Sequence, residues 1–279
     1  MSVAIITGSA GLIGSEAVKF FHEQGYDIVG VDNNLREYFF GKDGSTLWNR
    51  AQLTDGLARY THEDFDILAV PGGFSFGDHI ASGRVFANRL RHKLGDTLLR
   101  LREKKTPIIG ICNGFQVLVK LGLLPGTEPA SFTQTATLTY NDSGRFENRW
   151  CHLKTDANVS SLWLKGVESL YLPVRHGEVK FIPGSEALMA EVEANGQACL
   201  RYCTEDGKTP EGFPVNPNGS TGHVAGLCSK DGLVFGLMPH PEAHVLPTQH
   251  PHWLRHGADA RKAEGDGLVI FRNAVEAVR

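Results

Sequence analysis

The segment Ile108-Ile109-Gly110-Ile111-Cys112-Asn113-Gly114-Phe115-Gln116 constrains this chain more than any other. Pro107 to Ile111 is an apolar run of strand length, and Phe115 to Leu124 has helical spacing, so the backbone must pass from strand to helix at Cys112. Gly110 and Gly114 bracket the turn, and glycines permit the sharp bend of a nucleophile elbow. A thiol there lies over the N-terminus of the next helix, where the positive dipole end and free N–H groups favour the thiolate. The commoner fate of a cysteine is to act as a small buried hydrophobe. The glycine bracket argues against that here.

A thiol nucleophile needs a group that titrates near neutrality and can protonate a leaving amine. The segment Met238-Pro239-His240-Pro241-Glu242 supplies one, with Glu242 placed to hold the imidazole tautomer and two prolines stiffening the end of a strand read over Gly232 to Met238. A third piece, Ala69-Val70-Pro71-Gly72-Gly73-Phe74-Ser75-Phe76-Gly77-Asp78, is a strand that ends in glycines. Without a Cβ at Gly72 or Gly73, a peptide can turn its N–H toward a tetrahedral intermediate, joined by the N–H of Asn113. Taken singly, each of these segments also reads as a surface turn or loop.

In this order the segments resemble the class I, or triad, glutamine amidotransferases. More narrowly, the chain is similar to the glutaminase part of phosphoribosylformylglycinamidine synthases. That likeness also rests on Asn141-Asp142-Ser143-Gly144-Arg145-Phe146-Glu147, His176-Gly177-Glu178 and Asn216-Pro217-Asn218-Gly219-Ser220, and spans roughly residue 55 to the C-terminus. The resemblance implies Cys112 as nucleophile on the glutamine side-chain amide, His240 as acid and base, and Glu242 as its partner. It implies that Gly73 and Phe74 line the oxyanion hole and that Gln116, one helical turn beyond the nucleophile, holds the substrate. His176 and Glu178 match a segment near the interface with the synthase. Glutamine and water would give glutamate and ammonia through a thioester, with no cofactor for that step. Ammonia would pass to a partner synthase that uses ATP and magnesium.

The first 50 residues read differently. Val3 to Thr7 is a strand, Gly8, Gly11 and Gly14 have the spacing of a dinucleotide-binding turn, and Asp32 ends a second strand where it could meet a ribose 2′-hydroxyl. This segment resembles the start of an extended short-chain dehydrogenase, of the nucleotide-sugar epimerase type. Tyr38 and Lys42 have the Tyr-x-x-x-Lys spacing of such enzymes, but follow the second strand too closely to serve as the catalytic pair. A Rossmann-like βαβ unit of right-handed crossover could fill the first sheet positions of an amidotransferase, where Gly8-Ser9-Ala10-Gly11 would replace that family's usual first loop. Three readings follow: a glutaminase feeding a synthase, an NAD-binding epimerase-like protein, and a catalytically impaired module that only binds its partner.

Composition narrows the class. With 279 residues, 41% hydrophobic and 21% charged, the chain can bury one sizeable core, and a single amidotransferase-like domain over residues 1–279 is expected, with the dehydrogenase-like segment at 1–50 inside it. The fold class is α/β: a three-layer, flavodoxin-like, mostly parallel sheet flanked by helices. A net charge of −3 argues against a bulk basic nucleic-acid surface. Basic residues at 84–93 and 100–105 alternate with apolar ones, as on solvated helix faces, and could also meet an acidic partner. No run of 18 apolar residues occurs, which predicts a cytoplasmic protein without a membrane span. Cys112, Cys151, Cys199, Cys203 and Cys228 form no CxxC pair, so reduced thiols are expected rather than zinc or disulfides. Histidines 240, 244, 250, 252 and 256 invite a metal reading, but the intervening prolines prevent a helix from aligning them, and no metal is assigned.

The remaining pattern predicts helices at 15–24, 81–101 and 267–278, strands at 27–32 and 67–71, a strand-rich middle at 133–140, 147–154 and 171–181, and a linker-like insertion at 33–50.

Overall fold

The computed structural model describes residues 3–31, 37, 42–54, 66–78, 80–127, 132–159, 161–255 and 264–279. In chain order the strands are β1 (Val3–Thr7), β2 (Asp27–Val31), β3 (Ile67–Val70), β4 (Ile108–Ile111), β5 (Ala136–Tyr140), β6 (Glu147–Thr155), β7 (Ser169–His176), β8 (Glu178–Pro183), β9 (Leu200–Cys203), β10 (Val224–Cys228) and β11 (Val234–Leu237). The helices are α1 (Leu12–Glu23), α2 (Leu47–Thr54), α3 (Arg84–Glu103), α4 (Asn113–Leu121), α5 (Glu186–Ala194) and α6 (Leu268–Val278).

One nine-stranded sheet runs β2-β1-β3-β4-β11-β10-β9-β6-β7, and a separate pair joins β5 to β8. From β2 to β11 the neighbours are parallel, and from β11 to β7 they are antiparallel. The central strands β3, β4 and β11 are buried at every residue, as expected where helices cover both faces, and so they read as unbroken apolar runs. Ile6, Ile67, Ile108, Ile109, Phe115, Leu118 and Phe235 are fully buried members of one continuous core. In an open α/β sheet, ligands gather at the carboxyl ends of the parallel strands. Here the adjacent strands β1, β3, β4 and β11 deliver to that end Gly8, Gly72, Cys112 and His240 respectively.

Several boundaries differ from the sequence reading. The stretch 171–181 is two strands, because the chain leaves the large sheet after His176 and enters the small one at Glu178. Gly177 is the hinge, and no heavy atom stands within 4 Å of where its Cβ would be. The insertion at 33–50 is not merely a linker: α2 begins at Leu47, with Asn49 donating to the Ala10 carbonyl at 2.8 Å. Tyr38 lies outside the described residues, and so does Asp32. Helix α1 starts at Leu12 rather than Ser15, since Gly11 at the N-cap lets the turn after Gly8 run straight into it. Helix α5 was missed, although Ser185 caps it by accepting from the Leu188 N–H at 3.1 Å.

Candidate active site

Cys112 stands between β4 and α4 with φ 53 and ψ −109, a conformation an L-residue adopts only when its surroundings over-determine it. The bend is taken by the cysteine itself. Gly110 and Gly114 are needed for a different reason from the one their spacing suggests: neither has a positive φ, but each is pressed against backbone. A Cβ on Gly114 would lie 1.8 Å from the Val70 carbonyl oxygen, and one on Gly110 would lie 2.7 Å from Gly114. Tight approach of α4 to β3 is what aims the thiol out of the strand end.

His240 follows β11, the strand next to β4, and is 3% exposed. Its N–H donates to the Pro173 carbonyl of β7 at 2.8 Å, and its Nδ1 meets Glu242 Oε1 at 2.6 Å. Burial opposes charge on this ring, but Glu242 and then Cys112 outweigh it and push the imidazole up to about 10. The contact with Glu242 therefore favours the protonated form of the His240 ring. The Cys112 thiol itself points to the Arg175 carbonyl at 3.9 Å. His240 Nε2 makes no hydrogen bond of ordinary geometry, although the sulfur is close enough to raise the ring's affinity for a proton.

On the other side of Cys112 lies the loop after β3. A Cβ on Gly72 would stand 3.2 Å from Cys112 Cβ and 2.9 Å from Ile13 Cδ1, so this loop is squeezed between Cys112 and the glycine turn of the first βαβ unit. Gly73 has φ 140, open to glycine and not to an L-residue, which rotates its peptide relative to the strand above. Phe74, next in the loop, is 63% exposed. The N–H of Asn113 opens α4, where helix N–H groups have no partner inside the helix.

Gln116 is placed differently from the sequence reading. Its carbonyl accepts from Asn113 Nδ2 at 2.8 Å and its amide nitrogen donates to the Glu178 carbonyl, which leaves it 4% exposed as a tie between α4 and β8. His176 is 3% exposed with neither ring nitrogen bonded, and burial, reinforced by the charges of His240 and Arg149, pushes it down to about 3. Burial thus favours the neutral ring of His176 beside a His240 ring that favours its proton. Sequence reasoning missed Pro173 and Arg175, whose contributions are backbone carbonyls and carry no side-chain signal. Gly8, Gly11 and Gly14 form a compact turn: Gly8 has φ 67, the Gly11 N–H donates to the Gly8 carbonyl at 2.9 Å, and a Cβ on Gly14 would stand 2.0 Å from that carbonyl. Of the late histidines, His244 packs edge-on against Trp150 while His250 tilts against both rings, and among the described residues no group of three or more His, Cys, Asp or Glu is arranged to hold a metal.

A thiol on a strained strand-to-helix bend, a buried imidazole–carboxylate pair on the adjacent strand and a glycine loop on the other side together define an amidotransferase-like centre. Residues 16–278 match the CobB/CobQ-like glutamine amidotransferase domain, and the chain belongs to that family. Its relatives include the phosphoribosylformylglycinamidine synthase subunit PurQ of Dehalococcoides mccartyi, 45% identical over 216 residues, which cover 77% of this chain and 81% of the relative. The subunit of the same name from Methanococcus maripaludis is 38% identical over 224 residues, 76% of this chain and 80% of the relative. Among solved structures, PurLQS from Thermotoga maritima aligns with a TM-score of 0.66 at 23% identity over 100% of this chain and 99% of that one, a likeness of fold. The match begins at residue 16, within α1 of the first βαβ unit.

Proposed function

We propose that this chain is the glutaminase subunit of a phosphoribosylformylglycinamidine synthase, hydrolysing glutamine and handing ammonia to a synthase partner in purine biosynthesis. The observation that carries the reading is the placement of Cys112, at φ 53 on the β4–α4 bend, within electrostatic reach of a buried His240–Glu242 pair. Cys112 Sγ attacks the side-chain carbonyl carbon of glutamine as the thiolate, its proton already held by His240, and the oxyanion meets N–H groups from the Gly73–Phe74 loop and Asn113. As the C–N bond breaks, His240 gives its proton to the leaving nitrogen and ammonia departs, leaving a thioester. Water then attacks the thioester with the now neutral His240 as base, and collapse of the intermediate releases glutamate and restores the thiolate beside a protonated His240. Glu242 holds the imidazole in the orientation both steps need. Gln116 acts on the substrate side through the segment at Glu178 that it ties down. This half-reaction uses no cofactor; ATP and magnesium belong to the partner. Glutamate release measured with and without the synthase subunit tests the assignment: release that rises on adding the partner supports it, and none in either state overturns it.

For the first βαβ unit we infer a structural task. The turn at Gly8, Gly11 and Gly14 supports the Pro71–Gly72 loop, since a Cβ on Gly8 would lie 3.4 Å from Pro71 Cγ and Ile13 lies against Gly72. The competing reading makes Gly8, Gly11, Gly14 and Asp32 a dinucleotide site of the epimerase type. Isothermal calorimetry with NAD is expected to register no binding, and micromolar affinity would restore the epimerase-like alternative.

A further inference from the structure

The loop that carries the oxyanion donors is built against backbone preference. Beyond Gly73 at φ 140, three successive residues are left-handed: Phe76 at φ 55, Gly77 at φ 65 and Asp78 at φ 52. Two of the three bear side chains that disfavour this region, and none of the residues from Ser75 to Asp78 is buried. Strained conformations persist only where neighbours hold them. On the apolar side the hold is slight: Phe76 tilts against Phe86 at 6.4 Å and lies under Arg89 at 5.0 Å. The polar side is specific. Asn113, 3% exposed and next to the nucleophile, accepts from the Ser75 N–H at 3.3 Å through Oδ1. Through Nδ2 it donates to Asp78 Oδ1 at 3.4 Å and to Gln116 Oε1 at 2.8 Å. Asp78 Oδ1 in turn accepts from the Gly83 N–H at 3.3 Å, which secures the far end of the loop to the start of α3.

We propose that the Asn113 side chain is a positioning residue that sets the oxyanion loop, spanning Ser75 and Asp78 from the helix that begins at the nucleophile. The inference rests on the glutaminase reading and goes beyond the role of the Asn113 backbone N–H. The geometry demands one acceptor and two donated hydrogens from a single short side chain, and a carboxamide alone among side chains of this size provides them. Leucine provides neither. Aspartate provides the acceptor and sets a second carboxylate against Asp78.

The test compares the wild-type chain, Asn113→Leu and Asn113→Asp, each assembled with the synthase subunit, by steady-state glutamate release and by urea unfolding. For Asn113→Leu the expected result is a fall in kcat of about 10- to 100-fold, with KM for glutamine within about twofold of wild type, because a displaced oxyanion donor is missed in the transition state and not in the bound substrate. For Asn113→Asp, kcat is expected to recover toward wild type as pH is lowered, since a proton shared between the new carboxylate and Asp78 restores a donor between them. A general structural role would not create that pH profile. Should the leucine variant fail to fold, the near-isosteric aspartate variant decides. Wild-type kcat in Asn113→Leu, or a wild-type pH profile in Asn113→Asp, overturns the proposal. So does a loss in which the unfolding midpoint falls and the pH profile stays that of wild type. If the wild-type complex itself releases no glutamate, the glutaminase reading fails first, and the two failures are told apart by that control.

Discussion

Cys112→Ala is expected to reduce glutamate release by about 10⁴-fold or more while leaving the fold intact. In the proposed mechanism the sulfur is the atom that bonds to the amide carbon; without it, water must attack directly, and His240 has no sulfur to serve. The structural cost is small by comparison, because the substitution removes one atom at a residue 9% exposed and alanine adopts φ 53 at a cost similar to cysteine's. The measurement pairs glutamate quantification in the synthase complex with thermal unfolding of the variant. Near-normal release would show that another group is the nucleophile, and the triad would have to be reassigned.

The second large effect is structural in origin and catalytic in consequence. In Gly114→Ala the added methyl would stand 1.8 Å from the Val70 carbonyl oxygen and 2.6 Å from its carbon. Carbon–oxygen contacts want roughly 3.5 Å, so α4 must lift away from β3 by on the order of 1 Å or more. Neither partner is a flexible side chain, and the strain is therefore spread over two main-chain segments. A loss of about 3 kcal/mol in urea unfolding is expected. Turnover falls further than stability explains, because the displaced helix carries Cys112 with it, and misplacement of about 1 Å costs roughly 10²-fold. Gly177→Ala is the control for stability. Its Cβ would meet nothing within 4 Å, and a change within about 0.5 kcal/mol is expected. Equal midpoints for the two variants would refute the close-approach account of the glycine bracket.

How much of this was legible beforehand differs from element to element. The central strands could be read because burial on both faces makes them apolar throughout, and β3, β4 and β11 fall within the runs at 67–71, 107–111 and 232–238. The stretch 171–181 reads as strand-rich and is so, but β-forming composition continues across Gly177 and does not reveal that its two halves join different sheets. The glycines at 110 and 114 were correctly marked as necessary, but for the wrong physical reason: sequence cannot distinguish a glycine needed for its φ from one needed for its missing Cβ. Gln116 was placed on the nucleophile's face by helical spacing, yet spacing does not reveal that its amide would be consumed by Asn113 and the Glu178 carbonyl.

The sequence by itself determined the chemistry on offer: a cysteine at a strand-to-helix bend, a histidine and a glutamate between prolines, and a glycine loop. It determined these because local backbone demands and side-chain reactivity are written in neighbouring residues. Only the tertiary structure decided that they meet. The sheet order β1-β3-β4-β11 brings segments more than a hundred residues apart to one carboxyl edge. Packing then sets Glu242 and Cys112 against His240, which favours its protonated ring over the opposing effect of burial, while burial favours the neutral ring of His176. Those protonation states depend on which charges face each ring in a desolvated site, and that is a property of packing, absent from any stretch of chain read alone.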